Sequence, residues 1–249
     1  MLLENQIIYR NRRLLKGYRF TSIFPYDEYF HEFKINQDKF LINALHLKAE
    51  QPKGLIFFMH GSFKHLQFHI PLCKEFLLND FDVCLFDYPK YGKSRGKLHE
   101  HLLYKIADKI LHLTLKNERS EEVMYKRLIL CGRSLGTAIA AHTALHMQAE
   151  RLLLLTPYFN MKELIQLHLK RKDLPRLTQT FPNNQYLPKV QIPITILHGD
   201  KDKLIPLSFA QRLEPLLKTN DEFVIIKDAN HFNLHQQEQY KKHIKKILS

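Results

Sequence analysis

Acidic residues are scarce in this chain: 25 Asp and Glu face 38 Lys and Arg, leaving a net charge of +13 over 249 residues. A surface of that sign favours anionic partners such as lipid headgroups, nucleic acid or acidic ligands, and charge alone does not choose among them. Cysteine is scarcer still. Cys73, Cys84 and Cys131 are odd in number, widely spaced and set in apolar runs, so neither a disulfide framework nor a zinc ribbon is encoded. A reducing compartment follows as the expectation. No run approaches the roughly 18 consecutive apolar residues of a spanning helix, and Met1-Leu2-Leu3-Glu4-Asn5 lacks the basic start of a secretory signal. A cytoplasmic location is therefore expected. With 45% hydrophobic and 25% charged residues, the composition is that of one globular domain with a substantial core, which excludes disorder and collagen-like repetition.

Glycine is the third shortage. The eight, at 17, 54, 61, 92, 96, 132, 136 and 199, each mark a place where the backbone needs positive φ or close approach. Most fall at the ends of apolar runs that read as strands, at 30–36, 40–48, 54–59, 82–87, 127–131, 151–156, 193–198 and 222–227. Helical periodicity fills the gaps near 66–79, 102–116, 135–149, 207–218 and 234–247. Two opening strands followed by strand–helix alternation predict an α/β fold with a mostly parallel eight-stranded sheet and helices on both faces. Ligands in such sheets bind outside the carboxyl ends of the strands, where the glycines cluster.

We expect a single domain, 1–249, with an N-terminal extension at 1–29 and a small cap or lid insertion at 161–192, where Pro175, Pro182 and Pro188 interrupt a helix begun at Met161. An insertion of about 30 residues suggests an accessible site rather than a deep lidded tunnel. Its Leu164–Leu169 stretch serves equally as an acyl-pocket wall or as a helix packed on the core. The extension mixes Ile7, Ile8, Tyr9, Leu14 and Leu15 with Arg10, Arg12 and Arg13. Packing on the domain through these apolar side chains is the favoured reading, and peripheral contact with an anionic membrane is the alternative.

One segment carries chemistry. The strand ending at Cys131 runs into Gly132-Arg133-Ser134-Leu135-Gly136 and then into a helix rich in small residues. This is the G-x-S-x-G nucleophile elbow in its strand–turn–helix setting. Side chains two residues before and after the serine would collide in so tight a turn, which explains Gly132 and Gly136. The Leu135 N–H, at the helix start, faces where an oxyanion would develop. A serine hydroxyl needs a base held by a third group. His231 follows the strand 222–227 and is the favoured base. Asp202 follows the strand 193–198 and is the favoured orienting acid, with Asp200 as its competitor. The second oxyanion donor is expected from the Ser62 N–H in His60-Gly61-Ser62-Phe63, with Gly61 allowing close approach and His60 organising the loop.

These residues, with Asp87-Tyr88-Pro89-Lys90-Tyr91-Gly92-Lys93-Ser94, His198-Gly199-Asp200-Lys201-Asp202 and Asn230-His231, resemble the α/β-hydrolase superfamily of serine hydrolases over residues 30–249. Within it the chain is most similar to the serine-aminopeptidase, monoacylglycerol-lipase and acyl-protein-thioesterase-like group. The resemblance implies that Asp202, last in His-Gly-x-x-Asp, is the triad acid. It also marks a departure at Lys90, where relatives commonly carry glycine. The implied activity is hydrolysis of a carboxylic ester or thioester of small-molecule, lipid-like type through an acyl-enzyme, without a cofactor or metal. A peptidase using Glu163 or Asp173 to hold a free amino terminus and a non-catalytic binding protein of the same fold are the alternatives.

Other motifs are weaker. Gly92-Lys93-Ser94 ends like a P-loop, but the glycine that motif needs is replaced by Asp87. His65/His69, His142/His146 and His231/His235 have zinc-compatible spacing without the Glu of H-E-x-x-H. The basic clusters Arg10/Arg12/Arg13, Lys170/Arg171/Lys172 and Lys241/Lys242/Lys245/Lys246 belong to no nucleic-acid module, so no nucleic-acid partner is expected. The sequence leaves oligomeric state open.

Overall fold

A computed structural model describes residues 2–21, 30–37, 40–116, 125–170, 173–174 and 177–249. Residues 22–29 of the expected extension, together with Arg171, Lys172 and Pro175, lie outside the described residues. The expected strands form one sheet: β1 (Phe30–Gln37), β2 (Phe40–Leu47), β3 (Gly54–Met59), β4 (Phe81–Phe86), β5 (Leu128–Arg133), β6 (Arg151–Leu155), β7 (Ile194–Gly199) and β8 (Glu222–Ile226). Their order is β1-β2-β4-β3-β5-β6-β7-β8, antiparallel through β1, β2 and β4 and parallel from β4 onward.

The apolar continuity of the central strands has a simple cause: both faces of the sheet are covered. Along β3, Leu55, Phe57 and Met59 point into one apolar cluster and Ile56 and Phe58 into the other, all fully buried. The first cluster is closed by α2 (Glu100–Thr114), through Leu103, Ala107 and Leu111, and by α3 (Gly136–Thr143). The second is closed by residues 66–77 and by α5 (Glu238–Leu248), through Tyr240 and Ile244. Each fully buried Phe or Leu side chain contributes about 1.5–3 kcal/mol of transfer free energy.

Chain order makes β3 the switch point of the sheet. The chain leaves β3 for β4 on one side and returns to β5 on the other, so the loops after β3 and β5 face each other across a crevice. Register pairing of Met59 with Gly132 sets the two loops side by side.

Several helices are shorter than periodicity predicts, and proline accounts for two of the differences. The 66–79 segment splits into Leu66–His69, a 3-10 turn Ile70–Cys73 and Lys74–Leu77, because Pro71 has no N–H to continue the ladder. The 207–218 segment likewise becomes Leu207–Gln211 and the 3-10 turn Glu214–Leu216, with Pro215 at its start. The helix expected over 135–149 ends at Thr143, where the chain turns back so that Glu150 can donate to Leu128 and enter β6.

A short helix absent from the sequence expectations, α1 (Leu2–Ile8), precedes a two-residue strand, Arg10–Asn11, paired in parallel with Phe63–Lys64 in the loop after β3. Ile8 and Tyr9 are buried in the first cluster. Tyr9 donates to Gln179, and Gln179 donates to Asn5 at 2.7 Å, tying α1 to the 161–192 segment. No helix among the described residues is long and apolar enough to cross a membrane.

Candidate active site

Ser134 follows β5 directly and sits at φ 51°, a left-handed conformation that costs a non-glycine residue roughly 1–2 kcal/mol. Neighbours hold it there. Its N–H donates to the Leu155 carbonyl at 2.9 Å, and its carbonyl accepts from the Thr137 N–H at 2.9 Å and hydroxyl at 2.6 Å. Asn183 Nδ2 donates to that same Thr137 hydroxyl at 3.0 Å. The two elbow glycines answer to different constraints. A Cβ on Gly132 would stand 2.5 Å from the Gly136 carbonyl oxygen, the collision expected within the turn. A Cβ on Gly136 would instead stand 2.0 Å from the Met59 carbonyl, so β3 rather than the turn excludes it.

His231 and Asp202 come together from the loops after β8 and β7. His231 Nδ1 lies 2.7 Å from Asp202 Oδ2, and both side chains are buried. Asp202 Oδ1 accepts from the N–H groups of Leu204 (2.9 Å) and Ile205 (2.8 Å). Burial pushes the Asp202 carboxyl up, but the His231 contact and the Ile205 N–H outweigh it and leave it below the usual carboxylate range. Burial holds the His231 imidazole below its ordinary value, against the pull of Asp202 and with that of Arg133, so it is neutral near pH 7. Asp200 is exposed and faces elsewhere.

The loop after β3 completes the arrangement. A Cβ on Gly61 would lie 3.3 Å from the Ser134 Cβ, a tight contact that the glycine avoids where this loop approaches the elbow. The Ser62 carbonyl accepts from the Arg10 N–H at 3.0 Å and the Tyr91 hydroxyl at 2.9 Å. Neither the Ser62 N–H nor the Leu135 N–H donates to a protein acceptor among the described residues. His60 lies beneath, its Nδ1 2.6 Å from the Gly61 carbonyl, its ring stacked on Tyr88 at 4.1 Å and on His69 at 4.7 Å. Desolvation pushes His60 down to about 4, so it is a neutral spacer. Lys90 has φ 69°, which explains why a glycine suits that position in relatives.

Ser134, His231, Ser62, Gly61 and Leu135 line one cavity of about 80 Å³. Its other walls are mostly apolar, with Ile7 and Ile8 from α1, Met161, Leu164 and Ile165 from α4 (Met161–Leu169), and Tyr158, Leu204 and Ile205, while Arg10, Arg133 and His168 are the polar members. Helix α1 adds a second wall beside α4, which the insertion alone did not predict. Periodicity in the first residues gave no warning of that role. Among the described residues no carboxylate lines the cavity. Glu163 points away from it, bonded to Arg212 and Asn160, and Asp173 is exposed. Of the spaced histidine pairs, His142 and His146 meet Asp108 with ligand atoms within 4.8 Å, and Asp108 already binds His146 and Thr143.

Sequence reasoning missed two residues here. His198 is buried with Nε2 2.8 Å from the Ile205 carbonyl and 3.7 Å from Asp202 Oδ2, holding the loop that carries Asp202. Arg133, buried beside the serine, donates to the His231 carbonyl. The first could have been found in the His-Gly-x-x-Asp motif; the second had no signal beyond its place in the elbow.

The family model for "Serine aminopeptidase, S33" matches residues 50–187. The chain belongs to this family of α/β-hydrolases. This family member is 26% identical over 188 residues to the uncharacterized protein YfhR of Escherichia coli O157:H7, covering 74% of this chain and 65% of that protein. It is 26% identical over 203 residues to the alpha/beta hydrolase domain-containing protein 17B of Xenopus laevis, covering 79% and 67%. In fold it is similar to the Pyrococcus furiosus esterase Pf2001, with TM-score 0.73, 15% identity and coverage of 97% and 96%. A monoacylglycerol lipase from Paleococcus ferrophilus superposes with TM-score 0.60, 17% identity and coverage of 82% and 98%.

Proposed function

We propose that this S33-family protein is a serine hydrolase that cleaves carboxylic esters or thioesters with Ser134 as nucleophile, His231 as base and Asp202 as orienting acid. The observation that carries the reading is the buried 2.7 Å His231–Asp202 contact, opening on the same cavity as a serine at positive φ. His231, neutral near pH 7, takes the Ser134 proton as Oγ attacks the carbonyl carbon. The N–H groups of Ser62 and Leu135 receive the oxyanion. Collapse breaks the bond to the leaving oxygen or sulfur, which takes its proton from His231. Water, deprotonated by His231, then attacks the acyl-enzyme, freeing the acid and returning Ser134 its proton. Asp202 keeps Nδ1 protonated throughout. No step requires a cofactor.

Three features favour an ester over a peptide amino terminus. The cavity walls are mostly apolar with Arg10 and Arg133 as their charged members, no carboxylate among the described residues faces in to pair with an ammonium, and Glu163 is occupied by Arg212. The esterase and monoacylglycerol lipase that share the fold lean the same way. The test is fluorophosphonate labelling with p-nitrophenyl esters of graded chain length. Wild type should label and turn over, and Ser134→Ala should do neither while keeping its circular dichroism and melting temperature. Folded wild type that does not label would move the protein to the non-catalytic members of the fold.

A further inference from the structure

Beside the catalytic cavity lies a second, larger cleft of about 540 Å³, and the two share only Arg133 and Phe232. Arg12 and Lys64 stand at its rim, His65 and His235 line it, and the buried Arg133 reaches it from behind the elbow. Among the described residues no Asp or Glu lines it. Neither Arg12 nor Lys64 has a carboxylate partner among the described residues; Lys64 Nζ rests 4.7 Å over the Phe68 ring instead. The histidines register this uncompensated charge. Beyond burial, Arg12 and Lys64 push His65 down, and Arg133 does the same to His235, held at about 4. Both are neutral near pH 7, and each leaves a ring nitrogen without a protein partner among the described residues.

Position tells which half of a substrate would enter. Phe232, 48% exposed, separates the two spaces and follows His231 in sequence. The leaving atom must reach His231 to be protonated, so the group attached to it emerges on the Phe232 side. The acyl half has the apolar walls of α1 and α4. We propose that the cleft is a subsite for a phosphoryl group on the leaving half of the substrate, an acylated phospho-alcohol or an acyl thioester of a phosphorylated thiol. Arg12 and Lys64 supply charge-assisted hydrogen bonds to its oxygens, and Arg133 adds a fixed positive field behind them. This rests on the acyl-transfer reading of Ser134.

The experiment compares pairs that differ only in phosphate. An acylglycerol 3-phosphate is set against the matching acylglycerol in neutral detergent micelles, and an acyl-coenzyme A against the N-acetylcysteamine thioester of the same chain. Wild type should favour a phosphorylated member by about tenfold or more in kcat/KM, and the preference should shrink as salt rises. Which pair shows it separates the lipid-like source from the thiol source. The variant is Arg12→Gln/Lys64→Asn, the asparagine being chosen because Lys64 sits at φ 60°. It should abolish the preference and leave p-nitrophenyl butyrate turnover unchanged. Equal kcat/KM within both pairs, or a preference that survives in the double variant, overturns the subsite. If wild type neither labels with fluorophosphonate nor cleaves any ester, the acyl-transfer reading fails by itself. Calorimetric titration of Ser134→Ala with glycerol 3-phosphate then judges the cleft: binding lost in the double-variant background supports it, and no binding overturns it.

Discussion

Two carboxylates two residues apart illustrate how far local geometry decides a role. Asp202 is buried, takes two backbone N–H groups on one oxygen and holds His231 with the other, whereas Asp200 is exposed. An amide at 202 would present its NH₂ or its carbonyl to Nδ1 and destabilise the tautomer that the proposed mechanism needs. Asp202→Asn should therefore lower kcat for a p-nitrophenyl ester by roughly a thousandfold or more, with little change in KM, while Asp200→Asn leaves both unchanged. Steady-state kinetics of the two purified variants decides. That Ser134, His231 and one of Asp200 or Asp202 fall at neighbouring loops was legible from sequence, because each lies just past a strand in an order the fold requires. The burial that neutralises His60 was not, since His60 sits in the sequence beside Gly61 much as a catalytic histidine could.

The elements that matter most for substrate are the two helices over the cavity. Helix α4 begins with a side-chain N-cap, Asn160 accepting from the Glu163 N–H at 2.9 Å through its side-chain oxygen while its amide donates to the Glu163 carboxylate at 2.7 Å. It ends at Lys170 in a left-handed conformation. Between these caps Met161, Leu164, Ile165 and His168 fall on one face, and that face lines the cavity. Truncating Ile165 removes a buried wall, so Ile165→Ala should destabilise by about 2 kcal/mol, at the low end for such a change because one side already borders a void. It should also move the chain-length optimum of p-nitrophenyl esters to longer acyl groups. Leu167→Ala, on the outer face and 39% exposed, should shift neither. Urea denaturation and an ester series on both variants test this. The α4 pattern was readable in sequence as amphipathic, but an apolar stripe on a helix does not say whether it meets a core or a cavity.

Buried histidines give the whole molecule an acid sensitivity. His60 and His235 are held at about 4, and His69 well below its ordinary 6.5, in each case first by burial. In the unfolded chain these groups take protons near pH 6.5. In the folded protein His60 and His235 resist until about pH 4 and His69 resists in the same direction, so below pH 6.5 the unfolded state binds more protons and stability falls as pH drops. For fully buried His60 the window amounts to about 3 kcal/mol. Asp87, buried and pushed up, works in the opposite direction. The urea midpoint should accordingly fall between pH 7 and pH 5, and a midpoint that rises would show the histidines to be charged in the fold. Amino-acid order alone determined the sheet, its parallel character and the elbow, because strand periodicity, glycine placement and motif order are local properties of the chain. Only the tertiary structure decided that α1 shares the roof with α4, that Asp202 and not Asp200 meets His231, and that Arg12, Lys64 and Arg133 surround one cleft. Those facts depend on segments far apart in sequence, such as Tyr9 and Gln179 at 170 positions, being brought into contact by burial, which no local pattern encodes.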